Sequence, residues 1–207
     1  MKPGASGSDA TAMQQANERS PRGPRPDTGI RWWPSLLGVV CGVGASAAGN
    51  VPAIILVCVS IYVLAAVTAR PGSAWIGFAA SLPLIGIGRV LGLPWLSIVL
   101  IGAASVVLVV IGGAHHVWRT RENRRQLLGI LLFALSAVAV AAIGSVPLAG
   151  ALAILALIGH AAWDLWHHVR PAVVARPYAE FCAVLDASLA VVIAVALVAG
   201  AGSGRLL

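Results

Sequence analysis

Residues 94–117, PWLSIVLIGAASVVLVVIGGAHHV, contain no Lys, Arg, Asp or Glu and consist mainly of Leu, Ile, Val, Ala and Gly. A helix needs roughly 20 apolar residues to cross the hydrocarbon core of a bilayer, and this segment is long enough. The whole chain of 207 residues has the same character, with 59% hydrophobic and 10% charged residues. Soluble domains have roughly 25% charged residues and cannot bury this much apolar surface. The composition therefore predicts an integral membrane protein.

Six further apolar segments are similar in length and composition. Together the seven predicted spans are 32–49, 53–69, 73–90, 94–117, 126–143, 147–168 and 178–200. Short connections with Gly and Pro separate most of them, and proline in the first turn of a helix sacrifices no hydrogen bond, so these prolines mark helix starts. Short connections also make consecutive helices antiparallel. The predicted fold is an all-α integral membrane bundle of seven transmembrane helices, namely one leading helix followed by three antiparallel hairpins.

The two ends of the chain differ in composition from the apolar region. Residues 1–31 are rich in Pro, Gly, Ser and Arg, and the sequence PRGPRP at 21–26 opposes a helix because proline lacks a backbone donor. We therefore predict a disordered cytoplasmic tail over 1–31, a transmembrane bundle over 32–200 and a short extracytoplasmic tail over 201–207. Ala45–Ala47 also resembles a signal-peptidase site, so cleavage of the first span is an open alternative.

The distribution of basic residues predicts the orientation in the membrane. Cytoplasmic segments of membrane proteins carry an excess of Lys and Arg. With the N-terminus inside, only Arg89 and Arg205 fall on the outer side, and twelve of the 14 basic residues fall on the cytoplasmic side. These twelve are Lys2, Arg19, Arg22, Arg25, Arg31, Arg70, Arg119, Arg121, Arg124, Arg125, Arg170 and Arg176. We therefore predict a cell (inner or plasma) membrane protein with a cytoplasmic N-terminus and an extracytoplasmic C-terminus.

The same distribution decides which partners are expected. A formal net charge of +7 would indicate nucleic-acid binding in a soluble domain, but here the charges lie between apolar spans. The expected partner is the lipid bilayer and not nucleic acid, and a membrane-protein partner or a second copy of the chain is a further candidate. Four arginines are predicted to contact lipid head groups: Arg119, Arg121, Arg124 and Arg125. No sequence motif specifies a cofactor.

The sixth predicted span is the one that carries a dense set of polar side chains, HAAWDLWHH, beginning at His160. At 100° per residue, four of them fall within about 100° on one face: His160, Asp164, His167 and His168. A carboxylate near the centre of a membrane helix costs about 2.5–3.5 kcal/mol, so Asp164 is expected to face a partner or a cavity. In the antiparallel seventh span, Asp186 reaches the depth of His160. The two side chains are therefore predicted to lie close together.

Three interpretations of this polar cluster are open. It forms a hydrogen-bonded clasp, a proton relay or substrate site, or a metal site. The candidate residues of a relay or substrate site are His160, Asp164, His168 and Asp186, and the candidate metal ligands are the same four with His167. The corresponding functions are a noncatalytic membrane protein, which moves a small solute or supports a membrane assembly, and a metal-dependent membrane enzyme as the alternative.

The C-terminal part of the chain also resembles a known sequence block. His160-Ala-Ala-Trp-Asp164, followed by Arg176-Pro-Tyr-Ala-Glu-Phe-Cys-Ala-Val-Leu-Asp186, resembles a recurrent block in multipass bacterial membrane proteins of unknown activity. The resemblance covers about the last fifty residues of the chain. It implies a multipass bacterial membrane protein and no particular activity.

Overall fold

The computed structural model describes residues 32–200, which contain seven α-helices and no β-strand. The helices are α1 (Trp32–Ala48), α2 (Val51–Thr68), α3 (Ser73–Val90), α4 (Pro94–Ala114), α5 (Arg121–Ala142), α6 (Val146–Val169) and α7 (Arg176–Val198). Helices α2 to α7 are long and apolar enough to cross a membrane, and α1 is a shorter apolar helix of 17 residues. The predicted all-α bundle is confirmed. The predicted tails, 1–31 and 201–207, lie outside the described residues.

The predicted boundary between the fourth and fifth spans needs correction. Helix α4 ends at Ala114, because the backbone of His116 is left-handed, with a φ of 58°. A 3-10 turn over Val117–Arg119 follows. Helix α5 then begins at Arg121, five residues before the predicted start, because the Thr120 hydroxyl accepts a hydrogen bond from the backbone N–H of Asn123 at 3.2 Å. The arginine-rich segment therefore forms the first turn of α5.

Helix α2 lies at the centre of the bundle. It is buried along almost its whole length, whereas most residues of α3 and α4 are half-buried or exposed. It packs against α3, α4, α5 and α6 and also touches α1. A helix that is apolar on all sides is suited to such a position. The pairs α2–α3 and α6–α7 pack as predicted hairpins, whereas α4 and α5 pack mainly on α2 and scarcely on each other.

Helix α7 makes the most extensive contacts in the bundle, with α6 on one side and α1 on the other. Helices α1 and α3, by contrast, meet near their ends. At one end the rings of Trp33 and Trp75 lie 5.6 Å apart between centroids. At the other end Arg89 Nη1 donates a hydrogen bond to the carbonyl oxygen of Ala47 at 2.6 Å. We call the space between these two contacts the α1–α3 gap.

Candidate functional site

The polar residues of α6 and α7 meet inside the bundle. Nδ1 of His160 lies 2.7 Å from Oδ2 of Asp186 and 3.1 Å from Oδ2 of Asp164. His160 is 2% exposed, and both aspartates are fully buried. The predicted proximity of His160 and Asp186 is therefore present in the structure, and the i, i+4 spacing on α6 brings Asp164 to the same imidazole.

The central helix α2 supplies two further members of this site. The Tyr62 hydroxyl donates a hydrogen bond to Oδ1 of Asp164 at 2.5 Å, and the Cys58 thiol donates one to Oδ1 of Asp186 at 3.5 Å. In each aspartate, one carboxylate oxygen thus faces His160, and the other accepts a hydrogen bond from a side chain of α2. We call these five residues the His–Asp cluster. Sequence analysis missed Cys58 and Tyr62, whose one signal is their i, i+4 spacing on a largely apolar helix.

Aromatic side chains surround the imidazole of His160. The ring of Phe133 packs edge-on against it, with centroids 4.9 Å apart, and the ring of Tyr62 does the same at 5.8 Å. Nε2 of His160 has no hydrogen-bond partner among the described residues. In such apolar surroundings the charges and hydrogen bonds of the cluster act more strongly than they would in water.

With both aspartates ionised, the charges of the His–Asp cluster are not balanced by other charges buried in the described part of the chain. Two carboxylates face one imidazole, and no Lys or Arg is among the buried residues of the range 32–200. A protonated His160 would neutralise one carboxylate only. Oδ2 of Asp164 lacks an aligned hydrogen bond although Nδ1 of His160 is 3.1 Å away, because the N–H at Nδ1 is directed at Oδ2 of Asp186. The site can therefore accept a further positive charge, which burial of an unpaired carboxylate favours.

The other two histidines of α6 are engaged elsewhere. Nδ1 of His167 lies 3.0 Å from the carbonyl oxygen of Trp163, and its Nε2 lies 3.1 Å from Nε2 of Gln126. Because a carbonyl oxygen only accepts, Nδ1 carries the hydrogen, Nε2 accepts from the amide, and the imidazole is neutral. Nδ1 of His168 donates to the carbonyl oxygen of Arg176 at 3.2 Å. Of the residues predicted from the sequence, the structure thus brings together His160, Asp164 and Asp186.

The four arginines predicted to contact lipid head groups lie at the start of α5 and in the preceding turn, and all are exposed. The guanidinium of Arg125 lies 5.0 Å from the ring centroid of Trp166, and its Nη1 lies 3.9 Å from the Glu122 carboxylate. Surface pairs of this kind contribute little to stability. Their contact with lipid stays a prediction.

Known proteins give no independent guide to this site. Comparison of the chain with protein-family models, with curated proteins and with solved structures finds no match. The resemblance of the segment 160–186 to a block in bacterial membrane proteins therefore stays a prediction. The function must be inferred from the geometry of the His–Asp cluster and from the helices around it.

Proposed function

We propose that this protein is a noncatalytic multipass membrane protein that moves a small solute, and that the His–Asp cluster is its proton-binding site. One observation carries the proposal. Oδ2 of Asp164 is buried, has no aligned hydrogen bond, and belongs to a cluster with one more carboxylate than cationic group. A proton on this oxygen would complete the charge balance.

The depth of the cluster supports this function. Asp186 lies ten residues beyond the first residue of α7, Arg176, which corresponds to about 15 Å along the helix axis. This distance is about half the thickness of the hydrocarbon core. Substrate and coupling-ion sites of many transporters lie near the bilayer midplane. Ionisable residues at this depth are energetically costly, and those that occur there usually have a function.

A purely structural clasp fits the hydrogen bonding less well. Buried polar atoms in folded proteins are almost always paired, and an unpaired one costs about 1–3 kcal/mol. Nε2 of His160 is buried without a hydrogen-bond partner in the described part of the chain, and Oδ2 of Asp164 lies 3.1 Å from Nδ1 of His160 without an aligned hydrogen bond. Polar atoms without an aligned hydrogen bond do not stabilise a structural clasp, whereas a proton-binding site requires an oxygen that is free to accept a proton.

The proposed proton site can be tested by infrared spectroscopy of the reconstituted protein. On acidification we expect a carbonyl stretching band of a protonated carboxylic acid, shifted in deuterium oxide, because a proton binds to Asp164. The band should disappear in Asp164→Asn, which keeps the shape of the side chain and removes the titrating group.

Glu180→Gln is the matched control for this measurement. Glu180 lies on α7 and accepts a hydrogen bond from the Ser35 hydroxyl, away from the His–Asp cluster. Its replacement should leave the band of Asp164 in place. A band that persists in Asp164→Asn, or the absence of any carboxylic acid band at mildly acidic pH, would contradict the proposal.

A metal-dependent membrane enzyme is the second candidate function, because one observation favours it. Cys58, His160 and Asp186 each offer a ligand atom, and these atoms lie within 4.8 Å of one another. Thiolate, imidazole and carboxylate are a ligand set that suits zinc. About one equivalent of a transition metal in the purified protein, lost in Cys58→Ser, would support this candidate against the proton site, because Cys58→Ser leaves Asp164 intact.

The proposed orientation is that predicted from the basic residues, with a cytoplasmic N-terminus. Single cysteines introduced at Gly92, Arg121 and Ala172 lie at exposed positions between or at the ends of helices. We expect a membrane-impermeant maleimide added to intact cells to label the cysteine at Gly92 and to leave the other two unlabelled. Labelling at Arg121 from outside would reverse the orientation.

A further inference from the structure

A cavity of about 340 Å³ lies between α1, α2, α3 and α7, next to the His–Asp cluster. Its walls are almost entirely apolar, with side chains such as Ile54, Ile61, Phe78 and Phe181. Leu82 of α3 and Gly44 of α1 line the cavity and are exposed, so the cavity opens through the α1–α3 gap. Because the exposed residues of both helices around the opening are largely apolar, such as Val40, Val43 and Leu82, the opening is expected to face the hydrocarbon core of the bilayer and not water.

A few polar or sulfur-containing side chains interrupt the apolar wall. The Ser81 hydroxyl is already paired, because it donates a hydrogen bond to the carbonyl oxygen of Phe78 at 2.7 Å. Cys58 lines the cavity and also bonds to Asp186, so it joins the cavity to the His–Asp cluster. Tyr178 lines the cavity and is fully buried, and its hydroxyl has no oxygen or nitrogen acceptor in the described part of the chain. The neighbouring sulfur of Cys182 is only a weak acceptor, so a ligand oxygen in the cavity would supply the stronger one.

We propose that this cavity binds a single-chain amphiphile that enters from the bilayer, with its hydrocarbon chain along the apolar walls. Its head group is a hydroxyl or carbonyl that accepts a hydrogen bond from Tyr178. The proposal rests on the proposed function, because it names the class of solute that the proton site would serve. A cavity of about 150 Å³ holds benzene, so about 340 Å³ corresponds to roughly a dozen carbon atoms. That volume fits one chain and not a phospholipid.

Photolabelling with a photoactivatable analogue of 1-dodecanol tests this proposal directly. The full-length protein is reconstituted in phosphatidylcholine vesicles, irradiated with the probe and mapped by mass spectrometry. We expect saturable adducts on residues that line the cavity, such as Leu82 and Ile85, and displacement of the probe by unlabelled 1-dodecanol. Lipid-facing residues on α4, such as Val106 and Val110, should show only non-saturable labelling.

A cavity-filling variant and a matched control separate cavity binding from general effects on folding. A Cβ atom at Gly86, which lines the cavity, would meet no heavy atom within 4 Å, so Gly86→Leu fits without a backbone clash and fills the space. We expect it to reduce saturable labelling about tenfold, because the leucine side chain takes up part of the space that the ligand chain would occupy. Gly113→Leu on α4 has the same open surroundings and lies outside the cavity lining, so labelling should be unchanged.

The role of Tyr178 is tested by competition between an alcohol and an alkane. In the wild type, 1-dodecanol should displace the probe at about fivefold lower mole fraction than dodecane, because only the alcohol can accept the hydrogen bond. In Tyr178→Phe this difference should disappear while saturable labelling remains. An unchanged difference in Tyr178→Phe would place the head group elsewhere and overturn this assignment.

Two results would overturn the binding proposal itself. One is labelling that does not saturate and is spread evenly over all lipid-facing helices. The other is labelling of the cavity by a photoactivatable phosphatidylcholine that 1-dodecanol fails to displace, which would assign the cavity to bulk lipid. The proton site is judged separately: Asp164→Asn should abolish the infrared band and leave labelling intact. A wild-type protein that shows the infrared band of Asp164 but no saturable labelling would therefore reject the ligand alone. A wild-type protein that shows saturable labelling but no band would reject the proton site alone.

Discussion

Asp186→Ala is expected to lower the free energy of unfolding by about 3 kcal/mol, whereas Glu180→Ala should lower it by less than about 1 kcal/mol. Removing one partner of a buried charged pair leaves the other stranded, at a typical cost of about 3–5 kcal/mol. Without Asp186, both Nδ1 of His160 and the thiol of Cys58 lose their acceptor. Asp164 can replace Asp186 in part as the acceptor for His160, so we expect a loss at the lower end of this range. Glu180 is half-buried and accepts one hydrogen bond from Ser35.

The conservative variant Asp186→Asn separates the effect of charge from that of hydrogen bonding. Its amide oxygen can still accept from His160, and it reduces the number of carboxylates in the cluster from two to one. We therefore expect its free energy of unfolding to lie within about 1 kcal/mol of the wild type. Unfolding of the purified variants in mixed micelles by increasing denaturing detergent provides the measurement. Equal losses for Asp186→Ala and Glu180→Ala would show that the His–Asp cluster does not hold α6 to α7.

The sequence was sufficient to predict the α6–α7 half of this site. The i, i+4 spacing of His160 and Asp164 puts both on one face of α6. The short connection before α7 then fixes the antiparallel register, which brings Asp186 to the depth of His160. His168 falls on the same predicted face but lies one residue before the end of α6, where the carbonyl of Arg176 is its nearest acceptor. Predicting which residues join such a site therefore requires their position along the helix axis as well as their angular position around it.

The α2 half of the site could not be predicted in the same way. Helix α2 is apolar on every side, so its sequence indicates burial but no preferred face. Which residues of α2 point toward α6 and α7 depends on how six other helices arrange around it. Cys58 and Tyr62 are members of the cluster only because α2 is central. The cavity beside them depends in the same way on the gap between α1 and α3, which no local pattern in either helix specifies.

Gly42→Ala is expected to separate α1 from α7 and to lower the free energy of unfolding by about 2 kcal/mol. A Cβ atom at Gly42 would lie 2.5 Å from the carbonyl oxygen of Leu185, and one at Gly38 would lie 2.6 Å from that of Phe181. Small residues spaced by four allow two membrane helices to approach this closely. Because these contacts are with backbone atoms, a methyl group can be accommodated only if the helices move apart, and overpacking of this kind costs about 1–3 kcal/mol.

Gly44→Ala is the matched control, since it makes the same chemical change two residues away on the same helix. A Cβ atom there would meet nothing within 4 Å, so only the gain in helix propensity, up to about 1 kcal/mol, should remain. Opposite signs for the two variants in the same unfolding measurement would identify close backbone packing as the cause. The effect of Gly42→Ala should be large because α1, at 17 residues, is the shortest of the seven helices and packs chiefly on α7. Equal stability of the two variants would contradict this account.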